Sequence, residues 1–286
     1  MTDDGLDLDL RPVRPADRER VLELAEDLGG GTDYLPDVFD EWATDPGGLF
    51  QAAEVDGVVV AVQRTRPIAP GILLYEGLRV ASDRRRQGIA RTLVRRMLEE
   101  AAGLGFREVR LTTFGEAAAA LFESEGFRPL TTCVRWFASR VEGGDPPRLG
   151  SAWDATALVQ RASEGALFAA YGGVLADWGE PLDVDTELVE RLAADGRVRV
   201  GPSGQAAALL LEPDPSRLRV GFLTGRGAAL RELLDGLRFE ADLQDLRGVS
   251  LWSPEPSPVG YDLEAVGYHL EEDSPRLTAY ARELTA

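Results

Sequence analysis

The chain has 286 residues, of which 44% are hydrophobic and 28% are charged, as in a globular protein long enough for two domains. It contains no lysine and no asparagine, so all 31 basic residues are arginine, and its single histidine and cysteine are His269 and Cys133. These absences exclude a Walker A lysine, a pyridoxal Schiff base, an intrachain disulfide, a cysteine-cluster zinc site and an N-glycosylation sequon. Any catalysis must therefore use carboxylates, arginine, hydroxyl groups and backbone amides, and no metal site is predicted.

The formal net charge of −18 argues against a nucleic-acid or membrane partner and suits an amine-bearing one. In the basic segment, residues 79–96, seven arginines nevertheless stand against Asp83 alone, which gives a local charge of +6. This segment predicts one anion site in an otherwise acidic chain. The acidic start of the chain and the short apolar runs predict a cytoplasmic protein.

The first half of the chain alternates strand and helix patterns in the order β-α-α-β-β-β-α-β-α-β. Asp56-Gly57, between the second and third strands, is typical of a hairpin turn. The order predicts a protein of the α/β class, and more narrowly an α+β fold in which helices flank a mixed sheet. The predicted strands cover residues 7–14, 50–55, 58–64, 73–80, 108–113 and 130–139, and the predicted helices 16–28, 34–42, 88–102 and 117–125.

Residues 140–150 are rich in glycine and proline and indicate a linker. Beyond them the chain weakly repeats itself: 218–234 resembles 78–98, and 249–268 resembles 109–127. The sequence therefore predicts two copies of one fold, with domains over 1–140 and 151–286 and a linker over 141–150. Chance similarity between two α/β halves is the alternative.

Residues 83–90, DRRRQGIA, lie between a predicted strand and a predicted helix and suit an anion cradle. Gly88 and Ala90 are small enough for the backbone to approach a ligand, and the first helical turn offers free N–H groups. The flanking arginines add charge-assisted hydrogen bonds. A solvated basic face on a nucleic-acid-binding helix and an ordinary turn are the alternatives.

The pattern R-x-x-G-x-A at 85–90 follows the strand ending at Val80 and precedes Gly126-Phe127 by 36 positions. Motif, strand order and the Gly-Phe pair together resemble the GNAT acyltransferase superfamily over residues 8–139, and the GNAT fold is expected in two tandem copies. DYLP at 33–36 and EGLRV at 76–80 resemble, more narrowly, the histidine N-acetyltransferase group, also called probable N-acetyltransferase 16.

The resemblance implies an N-acetyltransferase that moves an acetyl group from acetyl-CoA to a small-molecule primary amine, such as the α-amino group of free histidine. It implies a monomer or homodimer. It further implies that backbone amides at 85–90 bind the cofactor pyrophosphate, that the strand end pairs with pantetheine, and that Phe122 replaces the tyrosine acid of other members. The implied cofactor-binding residues are Leu78, Arg79, Val80, Arg85, Arg86, Gln87, Gly88, Ile89, Ala90 and Phe122.

Glu76 is the candidate general base that removes the amine proton. Strand alternation places it on one face with Leu74, Leu78 and Val80, where it is the only ionisable side chain and apolar neighbours favour a base role. An ion pair or a water-facing carboxylate is the alternative.

Tyr34 and Arg64 are weaker candidates for substrate binding. Tyr34 could shape the acceptor pocket or belong to the core, and Arg64 or Arg66 could bind a substrate carboxylate or end a strand in solvent. Cys133 and His269 are expected to be structural.

The second copy has Thr224-Gly225-Arg226-Gly227 as its loop, without the arginine triplet, and Phe222 stands where Arg85 stands in the first. It is therefore expected to be a degenerate domain that closes the acceptor pocket or forms an interface. The competing function is a non-catalytic acyl-CoA sensor, and a nucleic-acid-binding module is a distant third.

Overall fold

The computed structural model describes residues 8–26, 33–177, 179–271 and 274–284. They form two compact units. The described residues of the first lie within 8–111, 116–128 and 281–284, and those of the second within 112–115 and 129–280. The predicted domain boundaries at residues 140 and 151 remain a prediction. The two compact units divide the chain elsewhere, since residues 129–140 belong to the second unit and residues 281–284 to the first.

The first half of the chain has the predicted order of helices and strands. The third strand runs five residues further than predicted, to Ala69, and the predicted helix end at Leu28 lies outside the described residues. The elements are β1 (Asp9–Pro12), α1 (Arg18–Glu26), α2 (Leu35–Trp42), β2 (Leu49–Val55), β3 (Val58–Ala69), β4 (Ile72–Val80), α3 (Ile89–Gly103), β5 (Glu108–Thr113), α4 (Glu116–Ser124) and β6 (Arg128–Ser139).

The hairpin between β2 and β3 confirms the turn predicted from Asp56-Gly57. Both residues adopt left-handed backbone angles, with φ of 52° and 76°, as a type I′ turn requires.

Alternation of side chains along the strands places apolar residues on both faces of the sheet. Val62 and Ala52 pack towards α1 and α2, whereas Ala61 and Ala53 pack towards Ile89 and Leu93 of α3.

The second half repeats this plan. Its elements are β7 (Arg148–Leu149), α5 (Ala152–Ser163), α6 (Ala166–Ala170), α7 (Thr186–Ala194), β8 (Val198–Val200), β9 (Ala207–Leu210), β10 (Arg217–Thr224), α8 (Gly227–Leu243), β11 (Gly248–Pro254), α9 (Gly260–Ala265), β12 (His269–Leu270) and β13 (Leu277–Glu283). In both halves three antiparallel strands are followed by a long helix and a strand parallel to the third, β4 with β5 and β10 with β11. The predicted repetition of the fold is therefore confirmed.

A second sign of the repeat lies at the helix entries and escapes the sequence patterns described above. Arg11 forms two hydrogen bonds to Asp17, and Arg148 forms two to Asp154, at the same spacing of six residues. Each aspartate also accepts a backbone N–H three residues before it, from Arg14 or from Ser151. Each copy thus has an arginine-clamped capping box where its first helical segment begins, at the 3-10 turn Pro15–Asp17 that leads into α1 in the first copy and at α5 in the second.

Replacing Asp17 by asparagine tests this cap. The hydrogen bonds from Arg11 lower the pKa of Asp17, so the ionised carboxylate stabilises the fold above about pH 4, and that stabilisation is lost as the pH falls through the lower folded-state pKa. We expect D17N to lower the free energy of unfolding by about 1–2 kcal/mol at pH 7, and by less at pH 3, in urea titrations. D40N, whose carboxylate is 79% exposed, is the control and should change little; equal losses in both variants would contradict the clamp.

Candidate active site

Strands β4 and β5 pair over only part of their length. Ile72, Leu73 and Leu74 are in parallel register with Glu108, Val109 and Arg110, whereas β4 continues to Val80. The other edge of β4 pairs with β3 up to Val80. Residues 75–80 therefore present an edge that is not in register with β5, and such an edge can pair with an extended ligand. The predicted pantetheine-binding residues Leu78, Arg79 and Val80 lie on this segment.

A bulge at Gly77 shapes the segment. Val62 opposes Arg79 and Arg64 opposes Glu76, so two residues of β4, Gly77 and Leu78, oppose one residue of β3. Gly77 has φ of +68°, and a Cβ there would lie 2.6 Å from Cζ3 of Trp42. Both the backbone angle and the indole ring therefore require glycine.

The bulge corrects the prediction that Leu78 and Val80 share the face of Glu76. Directly opposed residues lie on one face of a sheet, so Arg79, opposite Val62, lies on the face that carries Glu76 and Arg64. The extra residue shifts the alternation by one position. The face of Glu76 therefore carries three guanidinium groups, from Arg64, Arg66 and Arg79.

Glu76 is paired with cations rather than set among apolar side chains, which corrects the expected environment. Its Oε1 accepts hydrogen bonds from Arg64 Nη1 and, at 3.0 Å, from Arg66 Nε, and its side chain is 13% exposed. In the part of the chain that the structure describes, no hydrogen bond to Oε2 is formed. That oxygen can accept a proton from a ligand.

Arg64 is buried, at 3% exposure, so the expectation of a solvated strand end is wrong for it. Its guanidinium bridges Glu76 and Asp45 and lies 4.6 Å from the centroid of the Trp42 ring. Its Nε is buried and makes no hydrogen bond within the described part of the chain. Arg64 therefore fixes the position of Glu76 and does not reach into solvent.

Tyr34 and Arg79 lie beside this network. Arg79 forms a two-pronged ion pair with Asp33, at 2.6 and 3.0 Å, and lies 5.2 Å from the Tyr34 ring centroid. Tyr34 is 37% exposed and meets Trp42 edge-on, with centroids 5.8 Å apart. Tyr34 thus stands at the rim of the face that carries Glu76, whereas the Arg79 side chain is engaged and only its backbone can pair with a ligand strand.

The predicted anion cradle is brought together in the α3 loop, residues 82–88, and the first turn of α3. The loop is exposed, Arg86 and Gly88 have φ of 65° and 87°, and Gly88 caps the helix without a side-chain hydrogen bond. Left-handed residues before a free helix N-terminus turn backbone N–H groups into one concavity, which suits phosphate oxygens. Ile89 is buried and anchors the helix, so it can offer only its backbone.

The arginines of the basic segment divide into two groups. Arg91 and Arg95 bind the buried carboxylate of Glu125, and Arg96 donates to the Leu8 carbonyl. The remaining loop arginines, 84–86, lie at the cradle; Arg85 Nε donates to the Val80 carbonyl, and Arg84 is 3.7 Å from Asp83. The site is therefore less basic than the sequence suggests, and its charge is concentrated at residues 84–86.

Phe122 is a core residue. It is 6% exposed and meets Tyr75 and Phe127 edge-on, with centroids 6.1 and 5.5 Å away. The neighbouring Tyr75 hydroxyl donates to Gln63 Oε1 at 2.9 Å, and burial raises the pKa of Tyr75 well above its ordinary value. The hydroxyl that Phe122 lacks is therefore not supplied by Tyr75, whose proton is engaged and tightly held.

In the second unit a carboxylate of the chain itself occupies the corresponding helix start. The Gly227 N–H at the start of α8 donates to Asp262 Oδ2 at 2.9 Å, and Arg231 pairs with Asp262 Oδ1 at 2.7 Å. The loop between β10 and α8 is two residues long, against eight between β4 and α3. The predicted equivalence of Phe222 and Arg85 is therefore wrong: Phe222 is a buried strand residue stacked 4.7 Å from Tyr171.

The two remaining singled-out residues lie in the second unit. Cys133 is fully buried, which raises the pKa of its thiol to about 12. His269 lies on exposed β12, edge-on to Phe137 at 5.7 Å.

The described residues contain no group of histidine, cysteine and carboxylate side chains that could hold a metal ion. None of the helices in the described ranges is long and apolar enough to cross a membrane.

Asp33, Asp45 and Trp42 are site residues that the sequence patterns miss. Asp45 lies 19 positions from Arg64, and Asp33 lies 46 positions from Arg79. No sequence pattern indicates them, because their partners Arg64 and Arg79 are distant in the chain and the face of Arg79 is set by the bulge.

Comparisons with known proteins were made by sequence and by structure. Residues 18–127 match the family described as Acetyltransferase (GNAT) family. The chain is 35% identical over 80 residues to a histidine N-acetyltransferase of Oreochromis niloticus, which covers 28% of this chain and 24% of that protein. It is 38% identical over 78 residues to "Probable N-acetyltransferase 16" of Homo sapiens, covering 27% and 21%. The match thus spans about a quarter of each relative.

The fold of the whole chain is similar to that of a tandem GNAT protein from the clavulanic acid biosynthesis pathway. The TM-score is 0.55 at 15% identity, and the superposition covers 98% of this chain and 99% of that one. At this identity the likeness concerns the fold, and it confirms the expected tandem GNAT architecture.

Replacing Gly77 by alanine tests the bulge. The left-handed angle alone is worth about 1–2 kcal/mol, and the contact with Trp42 adds about 1–3 kcal/mol of overpacking. G57A is the matched control, because Gly57 has φ of +76° and a Cβ there would have nothing within 4 Å. We expect G77A to lower the free energy of unfolding by more than G57A in urea titrations. In a double-mutant cycle W42L should relieve part of the G77A loss, and a coupling energy of zero would contradict the contact.

Proposed function

We propose that this chain, whose residues 18–127 match the acetyltransferase (GNAT) family, transfers an acetyl group from acetyl-CoA to a small-molecule primary amine. The observation that carries the proposal is the arrangement of β4: its edge diverges from β5, its end leads into the uncapped α3 loop, and Glu76 lies on the same strand. A phosphate cradle, an extended binding edge and a carboxylate are thus supplied by one segment, residues 76–90.

The residues present fit acetyl-CoA. The backbone N–H groups at 85–90 and the side chains of Arg85 and Arg86 would hold the phosphates, and the backbone of Leu78, Arg79 and Val80 would pair with the pantetheine amides. When bound, the cofactor supplies an activated acyl group. A backbone N–H on the diverging edge of β4 can donate to an oxygen on which negative charge develops, in the manner of an oxyanion hole.

Glu76 removes the proton of the attacking amine in this proposal. Both hydrogen bonds from Arg64 and Arg66 go to Oε1, so Oε2 is the oxygen that accepts the proton. Arg64, held by Asp45 and by the Trp42 ring, keeps the carboxylate in one orientation. A positioned base of this kind contributes about 10²–10⁴ to the rate.

The acceptor we propose is a free amino acid such as histidine. The support is the narrow resemblance to histidine N-acetyltransferases and the position of Arg66, 23% exposed beside the proposed base. A guanidinium 3.0 Å from the base could bind the acceptor carboxylate while Glu76 receives the α-amino proton. The proposed location is the cytoplasm.

A non-catalytic acyl-CoA sensor is the second candidate, and one observation favours it. Phe122 has no hydroxyl to protonate a leaving thiolate, and the Tyr75 hydroxyl beside it is bonded to Gln63. A thiolate is a fairly good leaving group, since thiols are far more acidic than alcohols, so this loss does not itself prevent transfer.

Replacing Glu76 by glutamine distinguishes the two candidates. A thiol-release assay with acetyl-CoA and a panel of amines that includes free histidine should show turnover by the wild type. E76Q should lower kcat at pH 7 by about 10²–10⁴ while acetyl-CoA binding stays unchanged. An aromatic amine, already neutral at pH 7, should lose less, because no proton has to be removed before it attacks.

The control for this experiment is E23Q, which removes a carboxylate that is 54% exposed on α1. It should keep full turnover. Equal loss of turnover with neutral and protonated amines would reject Glu76 as base, and no turnover by the wild type on any amine would favour the sensor.

Replacing Arg85 and Arg86 together by glutamine tests the cradle. Calorimetry on the full chain should show one acetyl-CoA site, because Asp262 occupies the corresponding helix start in the second unit. The double variant should weaken binding about 10–100-fold, with a shallower salt dependence. R226Q, in the second loop, is the control and should bind as the wild type does; two sites per chain, or equal loss in R226Q, would overturn the assignment.

A further inference from the structure

The second unit contains a cleft of about 610 Å³, within the range of small-molecule sites. One side of it is a face of α5, where Asp154, Ala157, Leu158 and Arg161 stand three or four residues apart. Thr224 and Gln205 add a hydroxyl and an amide on the other side. We call this feature the α5 cleft. Its lining is thus mixed, with charged and polar side chains beside the apolar Ala157 and Leu158.

Arg148 in the α5 cleft differs from its counterpart in the first unit. Arg11 is bound by Asp17 and by Glu54, and its side chain is 16% exposed. Arg148 is bound by Asp154, and its side chain is 51% exposed.

Strand register explains the difference. Arg11 opposes Ala52, and Arg148 opposes Val200, so the position of Glu54 in the first unit corresponds to Pro202 in the second. Proline carries no charge. The second copy therefore keeps the arginine and its helix-cap aspartate but lacks the second carboxylate that saturates Arg11.

Arg161 adds a second cation to the α5 cleft. Its Nη1 donates to the Gly204 carbonyl, which holds the guanidinium against the loop before β9. Within the described ranges, no carboxylate pairs with Arg161. The two arginines and Asp154 leave a charge of +1 on the lining of the cleft, in a chain whose net charge is −18.

We propose that the α5 cleft binds a small organic anion, with its carboxylate or phosphoryl group between Arg148 and Arg161. The hydrocarbon part lies over Ala157 and Leu158, and Thr224 or Gln205 can donate a further hydrogen bond. The anion takes the place that Glu54 occupies in the first copy. This site is separate from the proposed acetyl-CoA cradle and does not depend on it.

Binding of phenylacetate to the full chain, followed by saturation-transfer NMR and calorimetry, tests the proposal. We expect saturable binding with a dissociation constant on the order of 1 mM, and at least tenfold weaker binding of the neutral phenylacetamide. R161Q should weaken binding about tenfold, and A157F, which places a ring in the cleft from an exposed helix position, should abolish it. R191Q, an exposed arginine on α7, is the control and should bind as the wild type does.

Phenyl phosphate separates the two anion types: tighter binding than phenylacetate assigns a phosphoryl ligand, and weaker binding assigns a carboxylate. The Arg85/Arg86 double variant should bind phenylacetate normally, which separates this site from the cradle. No saturable binding of either anion at about 10 mM, or equal affinity in the wild type and R161Q, would overturn the proposal. Circular dichroism checks that A157F is folded. R161Q tests anion binding independently of A157F, because Arg161 is an exposed residue whose replacement should not affect folding.

Discussion

The contact between Gly77 and Trp42 is the constraint on which the candidate site depends. The indole ring occupies the space of a Cβ at Gly77, and β4 bulges there with a left-handed backbone, so only glycine fits the position. The bulge places Arg79 on the face of Glu76 and falls within the part of β4 that is out of register with β5. A regular strand would turn the side chains after residue 77 to the opposite face. One glycine therefore decides which side chains after residue 77 share the face of Glu76.

The same ring stabilises a buried charge network. Burying Arg64 is unfavourable unless its charge is compensated, and here two carboxylates and the face of Trp42 compensate it. Removing one partner would leave the others uncompensated, which makes the group behave as a unit. Glu76 thereby gains a fixed orientation. Glu76 also pairs with Arg64 and Arg66, so one carboxylate is both the candidate base and a member of these structural ion pairs.

The order of elements, the hairpin at Asp56-Gly57 and the loop at residues 82–88 could be predicted from the sequence, because each depends on residues close together in the chain. The bulge could not, because it depends on Trp42, which is 35 positions from Gly77. Strict alternation assumes that every residue of a strand is paired one to one, and a single extra residue reverses the faces beyond it.

The ion pairs of the basic segment show the same limit. A count of charges along residues 79–96 gives +6, but the structure commits Arg91 and Arg95 to Glu125, whose position in space is set by α4. Alignment by motif spacing placed Phe222 opposite Arg85 because it assumed loops of equal length. The shorter second loop moves Phe222 into the core, where its ring packs on Tyr171.

The two copies resolve one electrostatic problem in different ways. The first turn of a helix carries free N–H groups and a partial positive charge, which an anion stabilises. In the second copy Asp262 supplies that anion from α9, with Arg231 as its counter-ion. In the first copy a long exposed loop and a glycine cap leave the helix start uncapped by any side chain. A helix start that the chain itself fills is suited to stability, and one that the chain leaves open is suited to a ligand. The difference between Asp262 and the α3 loop therefore supports the proposal that the first copy, and not the second, binds the cofactor phosphates.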